Sequence, residues 1–368
     1  MQCAFTFMPM NATSDAIQRP RQSNIELLRI AAMLLILVLH ANFFALGAYE
    51  PEDFKTDPLP TATRILFEQA AIYAVNLFVL ISGWFGIRTK TKSLTALMFQ
   101  YAFFFILLLI VPGWIEAGSP TRLWPAIRQG LSLNAYWFVP SYLILCLLAP
   151  GLNAFAEQSS RRRLGRNVAA FYAIQFVCAW MFDGAGGIFQ RGYSPVAFAG
   201  LYLLARYVRL YRPLPFRSSA RTQYLIAAVL IVCPALTEVC LLRFDGSTAY
   251  SWWRQHGTSY LAPHVVFCAL FILTATARLR FTSLFVNRIA ASAFAVYLLH
   301  LHPCVVGHFK LAVQWLYDHY SDAAFLLLTF GLLVTIFAAA VLVDQVRLLC
   351  WRPLVRRLFP LRIHPSES

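Results

Sequence analysis

The run "ELLRIAAMLLILVLHAN", residues 26–42, places Glu26, Arg29 and His40 in a segment that is otherwise almost pure hydrocarbon. An ionisable side chain at bilayer depth costs roughly 3 kcal/mol or more, so each such group is either paired or used. An imidazole titrating near neutrality suits general-base catalysis or transient carriage of an acyl group. A guanidinium suits phosphate or carboxylate recognition. Arg29 and His40 are eleven residues apart, which on an α-helix is three turns plus about 20°. That puts both on one face, about 16 Å apart along the axis. Structural readings stand beside the chemical one. "SNIE" fits a capping box with Ser23 as N-cap and Glu26 as its partner. Glu26 and Arg29 also form an i, i+3 ion pair, and Arg29 could snorkel to headgroups. His40, too deep to snorkel easily, is either a hydrogen-bonded structural histidine or a catalytic group.

Other groups with chemical capacity are Glu68, Glu238, His264, His300 and His302. In "AVYLLHLHP", Tyr297 and His300 share a helical face, whereas His302 points about 200° from His300. The HxH spacing therefore gives no zinc site, and no metal is expected. Glu238 and His264 fall toward the outer ends of their spans, lining an acceptor cavity or sitting in the wet interface. In "NLFVLISGWFGIRTKTK", Ser82 and Gly83 permit close helix approach. Arg88, Lys90 and Lys92 follow, as topology determinants or as fixed charges for a polyanionic ligand. Tyr136 and Trp137, opening "YWFVPSYLILCLLAP", sit where an aromatic belt is expected, and belt membership is the expected account of Tyr136.

The elements that must position these groups follow from composition. Of 368 residues, 59% are hydrophobic and only 13% charged, with a mean hydropathy of +0.61. Such a chain is an integral membrane protein. A span window of about 20 residues gives ten expected helices near 25–46, 64–86, 95–115, 136–155, 167–183, 193–209, 222–242, 259–278, 287–307 and 322–345. The first reads as a retained span, not a cleaved leader. With the N-terminus inside, 22 of the 31 Lys and Arg fall in inner segments and 8 in outer ones, as the positive-inside rule asks. The fold class is thus an all-α polytopic bundle with both termini cytoplasmic. Its expected parts are a tail over 1–23, a membrane domain over 24–345 and a basic tail over 346–368. The net charge of +15 reads as topology and contact with anionic membrane lipid, so no nucleic-acid partner is implied. Eight cysteines without CxxC pairing read as small hydrophobes rather than disulfides or ligands.

Four blocks in order, "NIELLRIAAMLLILVLH", "NLFVLISGWFGIR", "YWFVPSYLILCLLAP" and "FAVYLLHLHP", resemble membrane-bound acyltransferase family 3, which includes bacterial O-acetyltransferases of surface and exported polysaccharides. The resemblance covers about residues 24–345. It implies a ten-helix bundle in the bacterial cytoplasmic membrane that takes an acyl group, usually acetyl, from cytoplasmic acyl-CoA as co-substrate. The group passes to a hydroxyl of a polysaccharide or lipid-linked sugar acceptor, with no permanently bound cofactor. Arg29 and His40 match the family's essential pair, and Glu26 falls where an acidic residue is common. Arg88, Trp137, Tyr297 and His300 match recurrent positions. "IRTKTK" departs from the denser arginine pattern of many members at Lys90 and Lys92. The competing expectation is a transporter or flippase for a lipid-linked sugar or anionic solute. It would use the same basic stripe and histidines, but inverted repeats and helices broken at corresponding places are not visible. The chain does not fix the oligomeric state.

Overall fold

The computed structural model describes residues 21–88, 91–115, 136–183, 186–244 and 246–359, with a few positions between 124 and 131. Lys90 lies outside them. Every regular element among the described residues is helical. The first helix, α1, is Ser23–Leu39 and continues as a π-helical segment, His40–Ala45. There follow α2, Pro51–Thr56; α3, Pro58–Ala71; α4, Ala74–Phe85; and α5, Thr91–Ile115. Next come α6, Phe138–Gln158; α7, Arg161–Ala173, extended by a second π-helical stretch, Ile174–Met181; α8, Pro195–Tyr211; and α9, Ala220–Leu241. The last six are α10, Thr248–His256; α11, Pro263–Thr276; α12, Leu284–Ala291; α13, Ala293–His300; α14, Pro303–His319; and α15, Asp322–Leu358.

Among the described residues, six helical stretches are long and apolar enough to cross a bilayer: Ser23–Ala45, Pro58–Phe85, Thr91–Leu109, Phe138–Gln158, Ala220–Phe244 and Asp322–Leu358. A bent pair, Leu284–His300 with Pro303–His319, raises the number to seven if read as one span. The described residues therefore do not confirm the expected ten, for identifiable reasons. The expected fifth span begins in the arginine-rich α7. The expected sixth is the 17-residue α8 and the expected eighth the 14-residue α11, both short and largely buried inside the bundle. The expected ninth, 287–307, is cut at His302. That side chain caps α14 by accepting from the Cys304 amide (3.1 Å), Pro303 takes the first helical position, and the chain turns by 86°. The final helix runs on through Leu358, so much of the basic tail is helical.

Serine side chains cap five of the labelled helices. Ser160, Ser194, Ser219, Ser247 and Ser283 each accept from the backbone amide three residues on, as N-caps do. The expected capping box at Ser23 and Glu26 does not form. The N-cap of α1 is Gln22, without a side-chain bond. Ser23 instead accepts from the Ser283 amide (2.9 Å) and reaches Asn287 Oδ1 (3.0 Å), because a buried hydroxyl at a helix start is better satisfied by the neighbouring helix that closes over it.

Two contacts fix the interior. A Cβ on Gly83 would lie 2.4 Å from the Tyr202 carbonyl oxygen, so α4 and α8 meet backbone to backbone as the small residue allows. On the other side of the bundle, Asp344 and Arg347 of α15 form a wholly buried pair (2.6 Å). Asp344 also accepts from Gln100 of α5 (2.9 Å) and from Ser292, between α12 and α13 (2.7 Å). Buried charge is thereby paired and hydrogen-bonded, the only form in which a membrane interior tolerates it cheaply.

Candidate active site

The side chains singled out in the sequence gather at the two ends of α1. At its start, Glu26 and Arg29 are 6% and 4% exposed and bond to each other at 2.7 Å. Arg29 lies over the Phe85 ring, 5.9 Å from its centre, at the end of α4. Beside Phe85, Arg209 of α8 lies over Trp84 at 4.7 Å. Three buried polar atoms here, Glu26 Oε2, Arg29 Nε and Trp84 Nε1, have no hydrogen-bond partner among the described residues. Buried polar atoms are rarely left so, and this end of the helix therefore has capacity to bind. Sequence reasoning did not pick out Trp84 and Arg209. The aromatic–glycine ending of "SGWFGIR" was the available signal for Trp84, and Arg209 looked like one more topology residue.

At the other end, His40 Nδ1 lies 2.8 Å from His300 Nε2. The second nitrogen of His300, Nδ1, is 2.6 Å from the Val296 carbonyl oxygen. A carbonyl only accepts, so His300 carries its proton on Nδ1. With both rings neutral, His300 Nε2 accepts from His40 Nδ1–H, and His40 Nε2 is left as a bare lone pair. No hydrogen bond from the described residues reaches that nitrogen. α13 sets this up because Val296 and His300 are one turn apart, so the ring folds back on its own helix.

The surroundings are aromatic. His300 is fully buried, with Phe309 at 5.9 Å and Tyr297 at 6.3 Å between ring centres. Tyr297 accepts from the Phe138 amide (3.4 Å). Trp137, half-buried, packs between Tyr193 (4.3 Å) and Tyr260 (6.1 Å). Tyr136 is only 1% exposed and donates to the Leu298 carbonyl oxygen (2.8 Å). It belongs to the core and not to a lipid-facing belt, because its hydroxyl finds a carbonyl inside the bundle. Sequence reading also passed over Lys310. Its Nζ lies 3.6 Å from the centre of the Phe44 ring, which in turn lies 5.8 Å from His40.

Arg29 and His40 thus both point into protein, but toward different neighbours, α4 and α13. Ser82 bonds within its own helix (2.9 Å) and to Tyr142 (3.1 Å), apart from both ends. Arg88 and Lys92 are exposed. Glu238 accepts from Gln69 (3.2 Å) and from Tyr49, close to Glu68, in a buried cluster between α3 and α9. His264 Nε2 is 3.0 Å from the Gly257 carbonyl. Among the described residues, no three His, Cys, Asp or Glu side chains converge as metal ligands would.

In comparison with known proteins, a family model described as an acyltransferase domain matches residues 22–344. No curated protein and no solved structure matches the chain.

Proposed function

Since the chain belongs to this acyltransferase family, we propose that it moves an acyl group, in the first instance acetyl, from acyl-CoA to a hydroxyl of a surface or exported polysaccharide or of its lipid-linked precursor. Its place is the bacterial cytoplasmic membrane, with the Arg29 end facing the cytosol. The observation that carries this reading is the bare His40 Nε2 lone pair, held in place from behind by His300 and Val296.

Each step uses groups in the chain. Glu26 holds Arg29 within reach of the donor phosphates, Arg209, Arg88 and Lys92 add positive charge at the same end, and Lys90, outside the described residues, joins them by its place in the sequence. The slender arm of the donor lies along α1, which spans about 16 Å between Arg29 and His40. His40 Nε2 takes the proton from the acceptor hydroxyl as its oxygen attacks the thioester carbonyl. A C–O bond forms, the C–S bond breaks, and the leaving thiolate recovers that proton from the imidazolium. The same lone pair could instead accept the acyl group first and pass it on. Labelled acetyl-CoA supplied without acceptor separates the two routes, since only the second leaves label on the protein.

The test is transfer of labelled acetyl by purified protein in lipid nanodiscs. His40→Ala is expected to lose at least about 100-fold in kcat, the usual worth of a positioned base. Transfer at the wild-type rate would remove His40 from both routes.

A further inference from the structure

Two short segments at the His40 end of the bundle have no part in the reading above. "FDGAGGIFQRGY", residues 182–193, leads from α7 to α8, and "STAYSWWRQHGTS", residues 247–259, contains α10. In the first, Asp183, Gln190 and Arg191 all adopt left-handed backbone conformations, with φ of 50°, 46° and 54°. Non-glycine residues persist there only when their surroundings impose it, and such strain collects at ligand sites. Between the segments lies a partly enclosed cavity of about 180 Å³ lined by Trp180, Asp183, Arg191, Gln255, His256 and Ser259.

The walls are locked. Trp180 Nε1 donates to the His256 carbonyl (3.0 Å) and Trp252 Nε1 to the Met181 carbonyl (3.2 Å). The two indoles meet edge to face, 5.1 Å between centres, and Trp252 stacks on the His256 ring at 4.5 Å. His256 is only 5% exposed. Its Nδ1 lies 2.7 Å from the Trp252 carbonyl oxygen and carries a proton toward it. Nε2, buried without a well-aligned hydrogen bond among the described residues, lies 3.2 Å from Asp183 Oδ2. Asp183 already accepts from Gln255 Nε2 (2.8 Å). Across the cavity, Arg191 offers only donors, and the Ser259 hydroxyl offers both roles.

Such a mixture beside a flat indole is what a polyhydroxylated ring needs. Its hydroxyls donate and accept in turn, and its C–H faces lie against aromatic carbon. The volume suits one ring and is too small for acyl-CoA. Arg254, two residues from His256, clamps Glu50, which follows the π-helical segment carrying His40. From the cavity, Tyr260, Trp137, Phe138, Tyr297 and His300 form a continuous wall to His40, with successive centres 6.1, 5.9, 6.0, 6.3 and 5.1 Å apart.

We propose that this cavity holds one sugar unit of the acceptor, distinct from the unit whose hydroxyl meets His40. The proposal rests on the acyltransferase reading for its purpose but not for its test. Full-length protein in nanodiscs is offered a panel of di- and trisaccharides of hexoses, hexosamines and uronic acids, and binding is followed by saturation-transfer NMR. At least one member is expected to bind saturably to wild type and to His40→Ala alike. Asp183→Ala and Gln255→Ala are expected to weaken it about tenfold or more at an unchanged unfolding midpoint. Should wild type bind a sugar but transfer no acetyl, the subsite stands and the acyltransferase reading falls. The subsite is overturned if no sugar binds, if both variants bind as wild type does, or if inorganic phosphate alone competes for the site.

Discussion

At the scale of single residues, the proposed chemistry rests on one nitrogen whose state is set two groups away. The Val296 carbonyl fixes the tautomer of His300, and His300 fixes that of His40. His300 is therefore a positioning residue, and its loss should act on kcat rather than on donor binding. For His300→Ala, steady-state kinetics should show kcat down by about 100-fold with the acyl-CoA KM within a factor of two. His300→Gln, which can still accept from His40 Nδ1–H, should recover much of that loss. A uniform rise in KM, or equal defects in the two variants, would assign His300 a packing role only. The two histidines were both legible in the sequence as ionisable groups inside apolar runs. Their pairing was not, because they are 260 residues apart and periodicity reports faces of one helix, never which face of another it meets. Glu26 was also visible, and its i, i+3 pair with Arg29 forms as the spacing allows; what the sequence left open was the role of Ser23. The same serine, Ser23, could cap its own helix or bond the next, and only packing decides.

At the scale of elements, α4 is the strut between the two ends of the site. It carries Trp84 and Phe85 against Arg209 and Arg29 and is pressed onto α8 at Gly83. A methyl at that position meets backbone atoms of Tyr202, which cannot turn aside as a side-chain tip could. Gly83→Ala should therefore cost about 1–3 kcal/mol by overpacking, read as a lower midpoint of thermal unfolding in detergent. An unchanged midpoint would mean that α4 and α8 separate without penalty. The small pair Ser82–Gly83 announced this contact in the sequence. The break at His302 was harder to see. A hydropathy window runs across a capped turn without registering it, although Pro303 marks the start of the new helix. For the same reason, a hydropathy window counts ten expected spans, whereas helices such as α8 and α11, at 17 and 14 residues, are shorter than the six long apolar stretches and largely buried.

At the scale of the whole molecule, the proposed catalytic imidazole is expected toward the end opposite most of the basic residues, and this expected polarity is the property the sequence states most directly. It follows from the distribution of 22 of 31 cations, which charge rules read directly. The sidedness is checked with an impermeant maleimide on cells, in a background lacking the exposed Cys178, Cys233, Cys240 and Cys350. Thr248→Cys should label in intact cells and Arg162→Cys only after permeabilisation. The reverse pattern would invert the bundle and the direction of transfer with it. The two π-helical segments, His40–Ala45 and Ile174–Met181, carry a mechanical consequence. Wider turns with poorer hydrogen bonds bend more easily than the α-helix on either side. One of them carries the base, and the other ends two residues short of Asp183. Both π-helical joints therefore lie beside the groups proposed to meet the acceptor, so a change of direction at either would move the His40 ring or the Asp183 wall of the cavity.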